Sequence, residues 1–230
     1  MKYLLMLLFL AQPLAAQTLG VIHEKRLWGD GVGTIEITDD GIRYASKDPE
    51  ESRSWLYRDI QSLDRISDRE FTILSYEDQA RYLGRDRSYH FLITEGELTD
   101  ELFRKISERM NVPVTDRKVP EDVVSTYSIP VKHLHTFGGC EGTLEFTGDS
   151  LIYDTGNKKD ARVWKLGSDV QSIWSSDRYR LEIQVYENNR REFTRTRVYH
   201  FVLKSPLDPG VYRKLKLRMY DLEGGHNPIQ

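Results

Sequence analysis

Cysteine is almost missing from this 230-residue chain: Cys140 stands alone, so no disulfide can form within it. Its setting, Gly138-Gly139-Cys140-Glu141-Gly142, lacks the lysine, arginine or helix start that lowers a thiol pKa. A small half-buried hydrophobe in a turn is expected there, not a nucleophile. An excess of either charge sign is missing too. Thirty-three Lys+Arg against 36 Asp+Glu give −3, or −4 without residues 1–16, whose single charge is Lys2. Such a balance provides no bulk field for nucleic acid, and no nucleic-acid partner is expected. Beyond the first sixteen residues no segment is apolar enough to cross a bilayer. The sharp Gly-x-Ser-x-Gly elbow of a serine hydrolase is also absent.

What is present begins with an address. Lys2 precedes an unbroken apolar run, Leu4 to Leu10, and Pro13-Leu14-Ala15-Ala16 supplies small residues before Gln17. That is the three-part pattern of a secretory signal peptide cleaved near Ala16. The run is far shorter than the ~20 residues of a membrane span. With no cysteine at the cleavage site to take a lipid, a secreted or periplasmic protein is expected.

An internal repeat sets the architecture. Gly33-Thr34-Ile35-Glu36-Ile37-Thr38 returns as Gly142-Thr143-Leu144-Glu145-Phe146-Thr147, and Trp55 returns as Trp164. After a one-residue insertion, Asp59-Ile60-Gln61-Ser62-Leu63 matches Asp169-Val170-Gln171-Ser172-Ile173. Tyr89-His90-Phe91 likewise matches Tyr199-His200-Phe201. A period this long is a duplicated domain, not a solenoid unit. Within each copy, period-2 alternation (Ile35 and Ile37; Tyr89, Phe91 and Ile93) predicts half-buried strands. Leu98, Leu102, Phe103, Ile106 and Met110 then line one face of a helix capped by Thr99. The second helix follows Pro209 with Val211, Tyr212, Leu215 and Met219. The proline-bearing stretch from Asn111 to Pro130 reads as a connection between the copies.

The run Gly33-Thr34, Trp55, Asp59-Ile60-Gln61, Tyr76-Glu77-Asp78, Leu83-Gly84-Arg85-Asp86-Arg87 resembles the pleckstrin-homology (PH-like) superfold in its bacterial and GRAM-like variants. More narrowly it is similar to uncharacterised secreted acidobacterial proteins. The resemblance implies a mainly β fold: two tandem PH-like barrels or sandwiches, each of about seven antiparallel strands plus a C-terminal amphipathic helix. The expected division is 1–16 signal peptide, 18–112 first domain, 113–123 linker, 124–222 second domain and 223–230 tail. Such superfolds host many unrelated functions. Phosphoinositide recognition through a basic first hairpin is not carried over, because Thr136 to Glu141 in the second copy is not basic.

Several motifs bear on chemistry. Gly29-Asp30-Gly31-Val32-Gly33 is followed by a strand, not by the helix a phosphate loop needs, and reads as a flexible hairpin. His133 and His135 share a strand face and could hold zinc or copper, with Cys140 or His23 as further ligands. No fixed third ligand follows from the spacing, so no metal or other cofactor is expected and these two remain weak candidates. His90 and His200, each between Tyr and Phe, read as structural. Asp39-Asp40 and Asp68/Glu70 read as solvated turns. Arg81, Arg85 and Arg87 recur as Arg191, Arg195 and Arg197 on one face of each copy. They form either an anion-binding stripe or a solvated hairpin whose arginines pair with Glu77, Asp86, Glu187 or Glu192. No catalytic constellation is complete. The expected function is a non-enzymatic extracytoplasmic module binding an unknown protein partner. The alternative is recognition of an anionic lipid or glycan of the envelope through the arginines.

Overall fold

A computed structural model of the chain describes residues 17–25, 30–78, 86–188 and 194–224. The expected leader, the first-hairpin tip at 26–29, and Arg81, Arg85 and Arg191 lie outside the described residues. The fold is mainly β. Seven strands, β1 (Gln17–Glu24), β2 (Gly31–Ile37), β3 (Gly41–Ser46), β4 (Arg53–Leu56), β5 (Ile60–Ser67), β6 (Glu70–Asp78) and β7 (Asp86–Glu95), precede helix α1 (Asp100–Arg109). A short strand β8 (Val114–Asp116) follows. Seven more come next: β9 (Tyr127–Leu134), β10 (Gly139–Phe146), β11 (Ser150–Asp154), β12 (Arg162–Lys165), β13 (Val170–Asp177), β14 (Arg180–Val185) and β15 (Arg197–Leu203). Helix α2 (Pro209–Gly224) closes the series.

The repeat seen in the sequence returns as connectivity. In space the first seven strands run β5-β6-β7-β1-β2-β3-β4, and the second seven run β13-β14-β15-β9-β10-β11-β12, the same order strand for strand. Each half has its own apolar cluster, one around Ile35, Tyr44, Trp55 and Phe91, the other around Leu144, Tyr153, Trp164 and Phe201. The repeated Gly-Thr pair has a steric cause. A Cβ at Gly33 would lie 2.2 Å from the Ala45 carbonyl oxygen, and one at Gly142 would lie 2.2 Å from that of Asp154. No other residue lets β2 and β10 approach their neighbours so closely.

Helix α1 begins where expected, the Thr99 hydroxyl accepting from the Leu102 amide at 3.2 Å. It buries Leu102, Phe103 and Ile106. Its counterpart α2 is capped by Asp208, whose carboxylate accepts from the Val211 amide at 2.9 Å. A turn at Tyr57–Asp59 separates β4 from β5, the Asp59 carboxylate accepting from the Leu56 amide. Two expectations need correcting. Cys140 lies in strand β10 and not in a turn, because the reversal falls at His135 to Gly138, where Gly138 adopts φ +79°. The connection at 113–123 contains β8, which pairs in parallel with β5 and meets β12 at Val163↔Asp116, joining all fifteen strands into one sheet.

Candidate functional site

Four conspicuous features compete: a duplicated carboxylate cage, a histidine cluster, a cleft between the halves and an unoccupied strand edge. The cage lies where the expected arginine stripe begins. In the second half Glu187 is buried and receives Arg162 Nη2 at 3.2 Å, Arg197 Nη1 at 3.4 Å and the Tyr199 hydroxyl. Arg162 Nε also donates to the Tyr199 oxygen at 2.8 Å, and the Arg197 guanidinium lies 4.8 Å over the Tyr199 ring. Burial opposes ionisation of Glu187, yet the Arg162 and Arg197 charges outweigh it and hold the carboxyl below its ordinary range. Burial pushes the Tyr199 phenol upward, so it stays a donor.

The first half repeats this constellation in the open. Glu77 accepts from Trp55 Nε1 and from the Tyr89 hydroxyl, each at 2.8 Å, with Arg53 at 3.5 Å and Arg87 at 3.7 Å. Thus Arg87 and Arg197, equivalent members of the expected stripe, both face carboxylates. Such pairing leaves less of their charge for an external anion. Arg195 is exposed and donates to the Tyr76 hydroxyl at 3.1 Å.

The histidine cluster is tighter than the sequence suggested. His133 Nδ1 lies 3.0 Å from Asp160 Oδ2, and His135 Nε2 lies 3.2 Å from the same oxygen. The two imidazole centroids are 4.4 Å apart. Strand β9 carries His133, the following reversal carries His135, and the β11–β12 connection delivers Asp160. Burial opposes the Asp160 charge, but the bond from His133 and both imidazoles lower its pKa to about 2. Asp160 escaped the sequence reading, although the repeat pointed to it by aligning it with Glu51. His23, offered as a further ligand, is elsewhere: it packs in the first half against Tyr44, Tyr89 and Phe91.

A cleft of about 780 Å³ opens where the halves meet, bordered by Arg65, Phe103 and Val114 on one side and Lys165, Tyr186 and Arg195 on the other. Its charges are largely paired near β8. Arg65 holds Asp116 and Asp100, and Lys118 also donates to Asp100, while just outside the cleft Arg117 holds Asp64.

The strand edges differ between the halves. On β5, Leu63, Asp64 and Arg65 accept β8 as a parallel neighbour. The equivalent positions on β13 are Ile173, Trp174 and Ser175, and among the described residues no strand pairs with that edge. Where Asp64 binds Arg117, Trp174 is 56% exposed. The Ile173 carbonyl is covered instead by Lys216 Nζ at 2.9 Å and the Tyr212 hydroxyl at 3.5 Å, both from α2.

No family model matches the chain, and no curated protein does. Among solved structures, the C-terminal domain of an unknown protein from Leishmania infantum is 12% identical, covering 42% of this chain and 84% of its own, at a TM-score of 0.31. The Spt16D Pob3N heterodimer is 10% identical, covering 86% of this chain and 98% of its own, also at 0.31. At that score neither likeness bears on function. Among the described residues, no helix is long and apolar enough to cross a membrane.

Proposed function

We propose that this chain is a non-enzymatic extracytoplasmic binding module that captures an extended protein segment along the free edge of β13. In this reading residues 18–112 and 124–222 are tandem PH-like barrels, 113–123 links them, 223–230 is a tail, and 1–16 is a cleaved signal peptide. One observation carries it: the first half already binds a strand, β8, along the edge that no described strand occupies in the second half. Strand addition draws its affinity from main-chain hydrogen bonds and its choice of partner from side-chain neighbours. Trp174 in place of Asp64 selects an apolar or aromatic neighbour instead of the arginine that β8's extension supplies.

Natural proteins protect exposed edges, and Lys216 over the Ile173 carbonyl is a removable guard of that kind. Capture from an envelope extract with the wild type and with Trp174→Lys tests the reading. Loss of the captured protein in the variant, with folding intact, is the expected result. Equal capture by both would remove β13 as the surface. The alternative, an anionic lipid or glycan bound through the arginines, keeps Arg195 as its exposed described member. It predicts salt-sensitive binding to anionic vesicles that Arg195→Ala abolishes.

A further inference from the structure

The two halves solve one electrostatic problem differently. In the first, the Glu51 carboxylate, set beside His23 and Gly31, is neutralised by a direct bond from Lys25 Nζ. In the second, the equivalent carboxylate is Asp160, with a side chain only 7% exposed, and the lysine is replaced by His135. The strand registers fix a further equivalence. His23 faces Gly31 across β1 and β2, while His133 faces Cys140 across β9 and β10. A side chain grown on Gly31 would point at the Glu51 carboxylate, 3.0 Å from its Oε2. On Cys140 that direction is taken by a thiol, whose sulfur accepts from Asn157 Nδ2 at 3.6 Å.

Glycine to cysteine, lysine to histidine and glutamate to aspartate are three changes around one point. Together they exchange a permanent cation for groups that ligate one. We infer that His133, His135 and Asp160 form a site for a divalent transition-metal ion of the zinc class, with Cys140 at its open side.

The geometry suits such an ion. With metal–ligand bonds near 2.0–2.1 Å, tetrahedral ligands lie about 3.3 Å from each other. His133 Nδ1 and His135 Nε2 stand 3.0 and 3.2 Å from Asp160 Oδ2, and all three ligand atoms lie within 4.8 Å of one another. His135, a third exposed and placed in the reversal after β9, can rotate to close the remaining imidazole–imidazole separation. Two imidazoles and one carboxylate with a thiol at hand exclude calcium and magnesium, which take oxygen ligands. To ligate, each imidazole turns the lone pair of its metal-facing nitrogen to the ion and carries its single proton on the opposite nitrogen, while a ligating Cys140 releases its proton to water.

Calorimetric titration of the purified, untagged protein with Zn2+ alone tests the site, with Co2+ as a spectroscopic probe. One equivalent should bind. Asp160→Asn should weaken binding at least ~100-fold, since losing a direct ligand exceeds the 10–100-fold cost of an outer-shell partner. His135→Lys restores the first half's own ion pair, so it should keep the circular dichroism spectrum of the wild type while abolishing stoichiometric binding. In the Co2+ form, Cys140→Ser should remove any thiolate-to-metal charge-transfer band. No binding by the folded wild type, or unchanged affinity in His135→Lys, would overturn the assignment.

Discussion

Arg162 and Glu187 form an ion pair 3.2 Å long with both residues buried, whereas their counterparts Arg53 and Glu77 meet at 3.5 Å at a half-open surface. A duplicated network has therefore been internalised in one copy and left accessible in the other. That asymmetry separates the energetics of the two halves.

Glu187→Gln strands Arg162 in the interior, and breaking a buried pair costs about 3–5 kcal/mol. Glu77→Gln acts on a network that water still reaches, where exposed pairs contribute at most ~1 kcal/mol. Denaturant unfolding of the two variants should therefore differ severalfold in loss of stability. Equal losses would contradict the difference in burial.

Trp55 and Trp164 are 2% and 4% exposed, on β4 and β12, and each packs edge-on against the repeated tyrosine, Tyr89 or Tyr199, at 4.8 Å. Either Trp→Ala leaves a cavity costing ~3–5 kcal/mol. With separate clusters, each variant should destabilise its own half first, read as earlier hydrogen exchange confined to 17–110 or to 127–219.

His23 gives a pH dependence of definite sign. Burial, aided by the charge of Lys25, lowers its pKa from 6.5 to about 4, and its buried Nδ1 has no hydrogen-bond partner. Between those values the unfolded chain binds the extra proton. The His23 contribution is thus fully present above pH 6.5 and is lost as pH falls toward 4, to a maximum of ~3 kcal/mol. His23→Phe, set among the rings of Tyr44, Tyr89 and Phe91, should flatten that part of the stability profile. An unaltered profile would show that other groups carry it.

Lys216→Met removes the ammonium from the Ile173 carbonyl without shortening the side chain much. The edge of β13 should then capture its partner more strongly, with little change in melting temperature, by affinity measurement beside the wild type. Weaker capture would mean that Lys216 belongs to the binding surface and is not its guard.

The halves were legible in the sequence because duplication prints the same packing residues twice. Gly33 and Gly142, Trp55 and Trp164, and Tyr89 and Tyr199 recur where sterics and burial allow few alternatives. The arginines were legible as a pattern, together with Glu77 and Glu187 as partners of Arg87 and Arg197, but the pattern did not show that Glu187 is buried or that Arg53 and Arg162 join the two carboxylates. Strand β8 was hidden, since three residues in a proline-bearing connection carry no period of their own. Asp160 was missed for another reason. It lies in a loop, far along the chain from the histidines, and its meaning comes from Glu51 in the other copy. Comparing the two halves position by position, Lys25 with His135 and Gly31 with Cys140, would have brought it forward.

Backbone hydrogen exchange of the protein, free and with the partner it captures from the envelope, tests strand addition at β13 most directly. Strand addition should slow exchange within Val170–Asp177 on binding, an effect reduced by Trp174→Lys. Unchanged exchange there, with protection gained only around Arg195 and the cleft or with no partner captured at all, would contradict it.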